Sequence, residues 1–192
     1  MNTLLLPNSF TPESLLALPD GDHFELVDGR LVEKTMSLWA SYVAGEIDSV
    51  LRECCRGQRL GWVFTAEASY HCFPEHPNLV RRPDVSFIRL GRLPGEQLPE
   101  GHCPLSPDLA VEVLSPNDLA DEIDRKVHQY LRAGVRLVWV VNPDVRTVRA
   151  HRADGTGSIL GEDHELTGDD VLPGFRCPVR DFFRPPPGAT PA

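Results

Sequence analysis

Apolar residues recur at helical spacing across residues 37–56, where Trp39, Val43, Ile47, Val50 and Cys54 fall in one arc at about 100° per residue. That spacing predicts an amphipathic helix. A second helical pattern covers residues 119–133, with Leu119, Ile123, Val127, Tyr130 and Leu131 on its apolar side and Gly134 placed to end it. Thr11 followed by Pro12 is an N-cap and first-turn pair, so "TPESLLAL" opens a short helix. Elsewhere the pattern shortens to strands. "HFELVDGRLVEKT" gives two short strands about Asp28-Gly29, a pair that favours the tight hairpin turn. "GWVFTAEASYHCF" alternates in part and reads as a strand, and "RRPDVSFIRL" reads as another that starts after Pro83. The run 108–114 and "RLVWVVNP" are apolar enough to lie buried on both faces, and "TVRAHRADGTGSIL" is a hairpin turning at Asp154-Gly155. Residues 91–106 hold Gly, Pro and Glu and make a surface loop.

The order is helix, three strands, helix, strand, then added β structure. It predicts an α/β fold of the α+β kind, a mixed sheet with helices against it and extra hairpins towards both termini. With 192 residues the chain is long enough for one domain, expected over 1–182, and the proline-rich stretch 183–192 is expected to be a disordered tail. No apolar run approaches the roughly 20 residues of a membrane span, and "LLL" at 4–6 is too short for a signal sequence. The expectation is a soluble, cytoplasmic protein.

One residue breaks the apolar pattern where that is costly. In "PDLAVEVLSPND", residues 107–118, Glu112 sits inside an otherwise apolar strand. Burying an ionised carboxylate without partners costs several kcal/mol, against about 5–15 kcal/mol for the stability of a whole domain. Glu112 must therefore meet a cation, border a cleft or take up a proton. Strand parity puts Glu112 on the face of Ala110 and Leu114, and Asp84 on the face of Ser86 and Ile88. If those strands are neighbours, the two acids converge at one sheet edge, and paired carboxylates suit a hard cation such as magnesium or manganese. A turn-forming aspartate after proline would account for Asp84 alone, and a salt bridge to a core arginine for Glu112 alone. Lys126 lies at the border of the apolar arc of the helix that follows Glu112, within reach of the acids if that helix packs back over the sheet; a snorkelling surface lysine is the competing reading. Glu46 borders the buried stripe of the first long helix, where a solvated flank would look the same. Glu25 and Glu67 rank below these, and Asp124 and His128 are expected to face water.

Other chemistry finds less support. Neither a nucleophile-elbow G-x-S-x-G nor a G-x-x-x-x-G-K-[ST] phosphate loop occurs. The five cysteines form no C-x-x-C pair, and the spacing of His71, Cys72, His76, His102 and Cys103 matches no zinc pattern, so the thiols are expected to be free. The net charge of −9 disfavours non-specific nucleic-acid binding, although Arg81, Arg82, Arg89, Arg92, Arg125 and Lys126 supply local positive charge.

The segments "RRPDVSFI", "PDLAVEVLSPND" and "DEIDRKVHQYLRAGVRLVWVVNP" resemble the prokaryotic Uma-two family of endonucleases, which is similar in fold to restriction endonucleases, the PD-(D/E)xK superfamily. "TPESLLALPDGDHFELVDGRLVEK" is similar to the N-terminal segment of that family, so the likeness spans roughly residues 10–182. It implies a restriction-endonuclease-like core. By position Pro83-Asp84 matches the first motif acid and Glu112 the second. The motif lysine would stand at residue 114, which is a leucine here; Lys126, on the following helix, takes its place, and Glu46 matches the acid that the first core helix often supplies. The implied activity is Mg2+- or Mn2+-dependent hydrolysis of DNA, with the ion held by Asp84, Glu112 and the Val113 carbonyl, and with Glu46 holding its water or a second ion. Lys126 would act on the reacting phosphate, with Tyr130 and Arg82 as substrate contacts. A homodimer is a family-level expectation. The alternatives are a nuclease-fold module that binds nucleic acid or protein with little catalysis, and a hydrolase of another phosphate ester.

Overall fold

The structure is a computed structural model that describes residues 9–186 and Gly188. Helix α1 (Pro12–Leu16) is closed by a capping box in which Thr11 and Ser14 exchange side-chain and backbone hydrogen bonds. Strands β1 (Phe24–Val27) and β2 (Arg30–Glu33) pair antiparallel about Asp28-Gly29, both at positive φ, as this turn requires. Helix α2 (Leu38–Gln58), capped by Ser37, leads to β3 (Gly61–Thr65), β4 (Val85–Arg89) and β5 (Leu109–Val113). Helix α3 (Ala120–Arg132) then returns the chain to β6 (Leu137–Asn142), which pairs parallel with β5. β7 (Thr147–Arg152) and β8 (Gly157–Gly161) follow, and the hairpin β9 (Glu165–Gly168) and β10 (Leu172–Pro178) comes last.

The main sheet has the order β3-β4-β5-β6-β7-β8, with β5–β6 its parallel pair. Its central strands are enclosed on both faces because each face meets its own apolar cover. On one side α2 lays Val43, Ile47 and Leu51 against Phe87, Val111 and Trp139, with the β9–β10 hairpin adding Phe175. On the other, α3 lays Ile123, Val127 and Tyr130 over Ile88, Ala110, Val138 and Val140. The β1–β2 hairpin is a separate small sheet. Leu26 and Val80 exchange both backbone hydrogen bonds, at 3.0 and 2.9 Å, which ties this hairpin to the chain just ahead of β4.

The expected order of elements and the mixed sheet are found, with local differences. The strand read over residues 61–73 ends at Thr65; Tyr70 instead makes isolated bridges to Arg81 and Cys103. The 147–160 hairpin is not an appendage but extends the main sheet. The buried stripe of α2 is turned by one position: Ala40, Leu51 and Cys55 are enclosed, while Trp39, Val50 and Cys54 are half-buried. Leu119 is exposed, and Asp118 caps nothing in α3; its carboxylate accepts from the Ser115 N–H at 2.7 Å and tightens the turn. Phe183, assigned with the tail, is buried in a 3-10 turn against the core; of the remaining tail, residues 187 and 189–192 lie outside the described residues. The five cysteines are free. No described helix is long and apolar enough to cross a membrane.

Trp139 is fully buried and packs on Phe175 with ring centroids 5.6 Å apart. Trp139→Ala should destabilise the fold by about 3–5 kcal/mol in urea denaturation; a loss below about 1 kcal/mol would mean that the α2 face of the sheet is not the close-packed layer described here.

Candidate active site

The sequence pattern aims two acids at one place, and the sheet brings them there. β5 carries Glu112 on the face covered by α3. β4 pairs with β5, and Asp84, one residue ahead of β4, is bound to it: the Asp84 N–H donates to the Val111 carbonyl at 2.9 Å. Its side chain folds onto the same strand, Oδ2 accepting from the Val113 N–H at 2.6 Å. The Val113 carbonyl shares that strand edge, where Pro83 brings no N–H to pair with it.

Both carboxylates are buried, Asp84 at 4% and Glu112 at 3% exposure, so each needs partners. Glu112 Oε1 accepts from the Tyr130 hydroxyl at 2.7 Å and Oε2 from Lys126 Nζ at 3.1 Å. Both donors come from α3, one turn apart. Lys126 also lies 3.3 Å from Oε2 of Glu25, a third buried acid, which arrives on β1. Glu25 in turn accepts from Arg81 at 2.7 Å and from the Arg82 N–H at 2.9 Å, and Gln129 holds the Arg81 guanidinium at 2.7 and 3.0 Å. Lys34, just past β2, places Nζ 2.6 Å from Asp84 Oδ1 and donates to the Arg82 carbonyl. The Lys34 contact to Asp84 is one of charge alone: Oδ1 is buried and receives no well-directed hydrogen bond. Three acids and three cations thus compensate one another.

Their proton affinities follow from this packing. Burial pushes the Glu112 carboxyl up, helped by the charges of Asp84 and Glu25, while Lys126 opposes the rise. Burial would also raise Glu25, but Lys126, Arg81 and Lys34 outweigh it and hold Glu25 down at about 2. Burial disfavours charge on Lys126, yet Glu112 and Glu25 lift it above its ordinary value, so it stays an ammonium. Burial, then Glu112, keeps the Tyr130 phenol neutral and a donor.

The cluster opens into a cleft of about 250 Å³ between the β1–β2 hairpin, the turn after β5 and the start of α3. Asp84, Glu112, Val113, Lys126, Glu25 and Lys34 line it, with Glu33, Asp118, Glu122 and Arg125 also in its wall.

Of the expected site residues, Asp84, Glu112, Val113 and Lys126 come together. Tyr130 joins them from beneath, fully enclosed, and serves Glu112 rather than a substrate. Arg82 is not at the cleft: its buried guanidinium donates to the carbonyls of Phe24, Glu67 and Gly21 and staples the hairpin region together. Glu46 is not brought in either. It rides on α2, over the other face of the sheet, with its carboxylate beside the Tyr42 hydroxyl. Asp124 and His128 are exposed, as expected. Lys34 was missed, and Glu25 and Arg81 were underrated. Glu25 carries the same signal as Glu112, a carboxylate between apolar strand residues; Lys34 carries none, because its role depends on where the hairpin docks. His71 and His102 each turn a ring nitrogen to a carbonyl, of Pro77 and Pro12.

The model of the Uma2 family, described as "Putative restriction endonuclease", matches residues 12–180. A solved structure described as a "putative nuclease belonging to DUF820 from Anabaena variabilis ATCC 29413" is similar in fold, with a TM-score of 0.75 at 22% identity over 91% of this chain and 97% of that one. Comparison with curated proteins gives no match.

Glu25 has a depressed carboxyl, so the stability it contributes is full above its ordinary value of 4.5 and is lost as pH falls through about 2. Glu25→Gln should therefore lower stability at neutral pH and weaken the acid dependence between those values, read from urea midpoints across pH. An unchanged acid profile would contradict the charge network.

Proposed function

The chain belongs to the Uma2 family, and from that premise we propose that it is a metal-dependent nuclease that hydrolyses DNA phosphodiester bonds in this cleft. The observation that carries the reading is the meeting of Asp84 and Glu112 at one strand edge, with the Lys126 ammonium 3.1 Å from Glu112.

The residues present fit a hard divalent cation. The donors are oxygens: two carboxylates and the Val113 carbonyl. Asp84 Oδ1 is buried and meets only the Lys34 ammonium, at 2.6 Å without good hydrogen-bond direction, so it is the carboxylate oxygen a metal would take in exchange for that cation. Among the described residues no group of three His, Cys, Asp or Glu side chains is arranged to hold a metal. Two carboxylates and one carbonyl suit magnesium, which keeps several of its waters and is bound through one or two carboxylates. Magnesium or manganese in this position would supply a water of lowered pKa and polarise a phosphoryl oxygen.

The chain's own groups do the rest. The Val113 N–H fixes Asp84, and Tyr130 fixes Glu112, so neither acid needs to reorient. Lys126 presents a cation on the Glu112 side, where it stabilises negative charge growing on the phosphate or orients the attacking water. Glu25, itself held by Arg81, keeps Lys126 in register from behind. Charge at the cleft depends on the ion. Six acids and four cations line it, so a doubly charged ion brings the wall to about neutral and removes the repulsion that a phosphate would otherwise meet.

Native protein should cut plasmid or single-stranded DNA in the presence of Mn2+. Asp84→Ala and Glu112→Gln should each reduce cutting by more than about 100-fold, and Lys126→Met by about 10²–10³-fold. Absence of metal-dependent cutting by the native chain would overturn the reading in favour of a binding module. Because burial raises the Glu112 carboxyl, protons compete with the ion there: Mn2+ affinity by calorimetric titration should fall as pH drops through that raised value, and a flat profile would take Glu112 out of the ligand set.

A further inference from the structure

We propose that Lys34 is the resident cation of the metal position: it neutralises Asp84 while the site is empty, leaves Asp84 when a divalent cation binds, and then contacts the substrate phosphate from the cleft wall. This rests on the nuclease reading above and adds to it a second lysine, one outside the PD-(D/E)xK motif positions.

Two observations single out Lys34 among the cations of the cluster, and a third allows it to move. Its Nζ lies 2.6 Å from Asp84 Oδ1, the carboxylate oxygen that lacks a directed hydrogen bond. It therefore stands where a metal ligand must be exposed. Lys34 is also the least firmly held. Lys126 contacts two carboxylates, and Arg81 is locked between Glu25 and Gln129, whereas Lys34 has one carboxylate and one carbonyl. Finally, its side chain, like that of Lys126, is partly exposed and lines the cleft, so its flexible stem has somewhere to go.

The backbone does not have to move for this. The Lys34 N–H donates to the His23 carbonyl at 2.9 Å, which continues the β1–β2 ladder by one residue and anchors the base of the side chain. An ammonium and a divalent ion on the same carboxylate repel each other strongly in a buried site. The ion, once bound, removes the reason for Lys34 to face Asp84. A lysine, unlike an arginine fork, is a point charge on a mobile stem and can turn to a phosphate oxygen that enters the same cleft. The arrangement also accounts for stability without metal, since Asp84 would otherwise be a buried anion with no cation beside it.

The test compares native protein, Lys34→Met and Lys34→Arg by calorimetric titration with MnCl2, by thermal melting with and without saturating Mn2+, and by the KM and kcat of DNA cleavage. Removing the competitor should tighten Mn2+ binding in Lys34→Met by about tenfold, while Lys34→Arg, which keeps the charge, should bind Mn2+ like the native chain. Lys34→Met should melt below native protein when metal-free, and saturating Mn2+ should close most of that gap. Its cleavage should fall by about tenfold or more despite tighter metal binding. Unchanged or weaker Mn2+ binding by Lys34→Met, or a melting deficit that Mn2+ leaves intact, would make Lys34 an ordinary structural ion pair and overturn the proposal while leaving the nuclease reading standing. Failure of the native chain itself to bind Mn2+ would overturn both.

Discussion

Three carboxylates, Asp84, Glu112 and Glu25, are buried at one end of a sheet, and the need to compensate them organises the structure around the cleft. Each would cost several kcal/mol if left alone. The chain answers with Lys34, Lys126 and Arg81, and with hydrogen bonds from Tyr130 and from the N–H groups of Val113 and Arg82. Such a cluster is poor material for stability alone, since apolar side chains of similar volume do as well or better in a core. Its location at the open, carboxyl end of β5 makes sense as a site kept charged for chemistry.

The fold supplies the convergence by simple means. β4 and β5 are neighbours, so their acids share an edge. Of the cations, Arg81 lies on the chain just ahead of β4, and the two lysines come from elements that flank the sheet end. α3 must pack its apolar face over β5 and β6, and this carries Lys126 and Tyr130 onto Glu112 from one side. The β1–β2 hairpin is tied through Leu26 to Val80, four residues before Asp84, and this delivers Glu25 and Lys34 from the other. Arg82 completes the frame by binding three backbone carbonyls rather than by facing the cleft.

Much of this was legible in the sequence, and the site residues that were not depend on long-range packing. Glu112 stood out because an apolar strand has no place for an unpaired carboxylate, and Asp84 followed from strand parity. Lys126 followed from a helical wheel together with the short connection to β5. Glu46 had an equally good wheel position, but a wheel tells which side of a helix is buried and not which face of the sheet it covers; α2 lies on the far one. The stripe of α2 was also one position off, because small Ala40 and Ala44 carry the close contact while bulky Trp39 sits at the margin. Lys34 and the true employment of Arg82 depend on the docking of a hairpin against a distant loop. That is long-range packing, and local pattern contains no trace of it.

The central claim is that Asp84 and Glu112 share one divalent cation. Anomalous scattering from a crystal soaked in Mn2+ tests it most directly. The account predicts a single strong peak between the two carboxylates and the Val113 carbonyl, absent when Asp84 is replaced by alanine. A peak elsewhere, or none while the two acids remain occupied by Lys34 and Lys126 at saturating Mn2+, would contradict it.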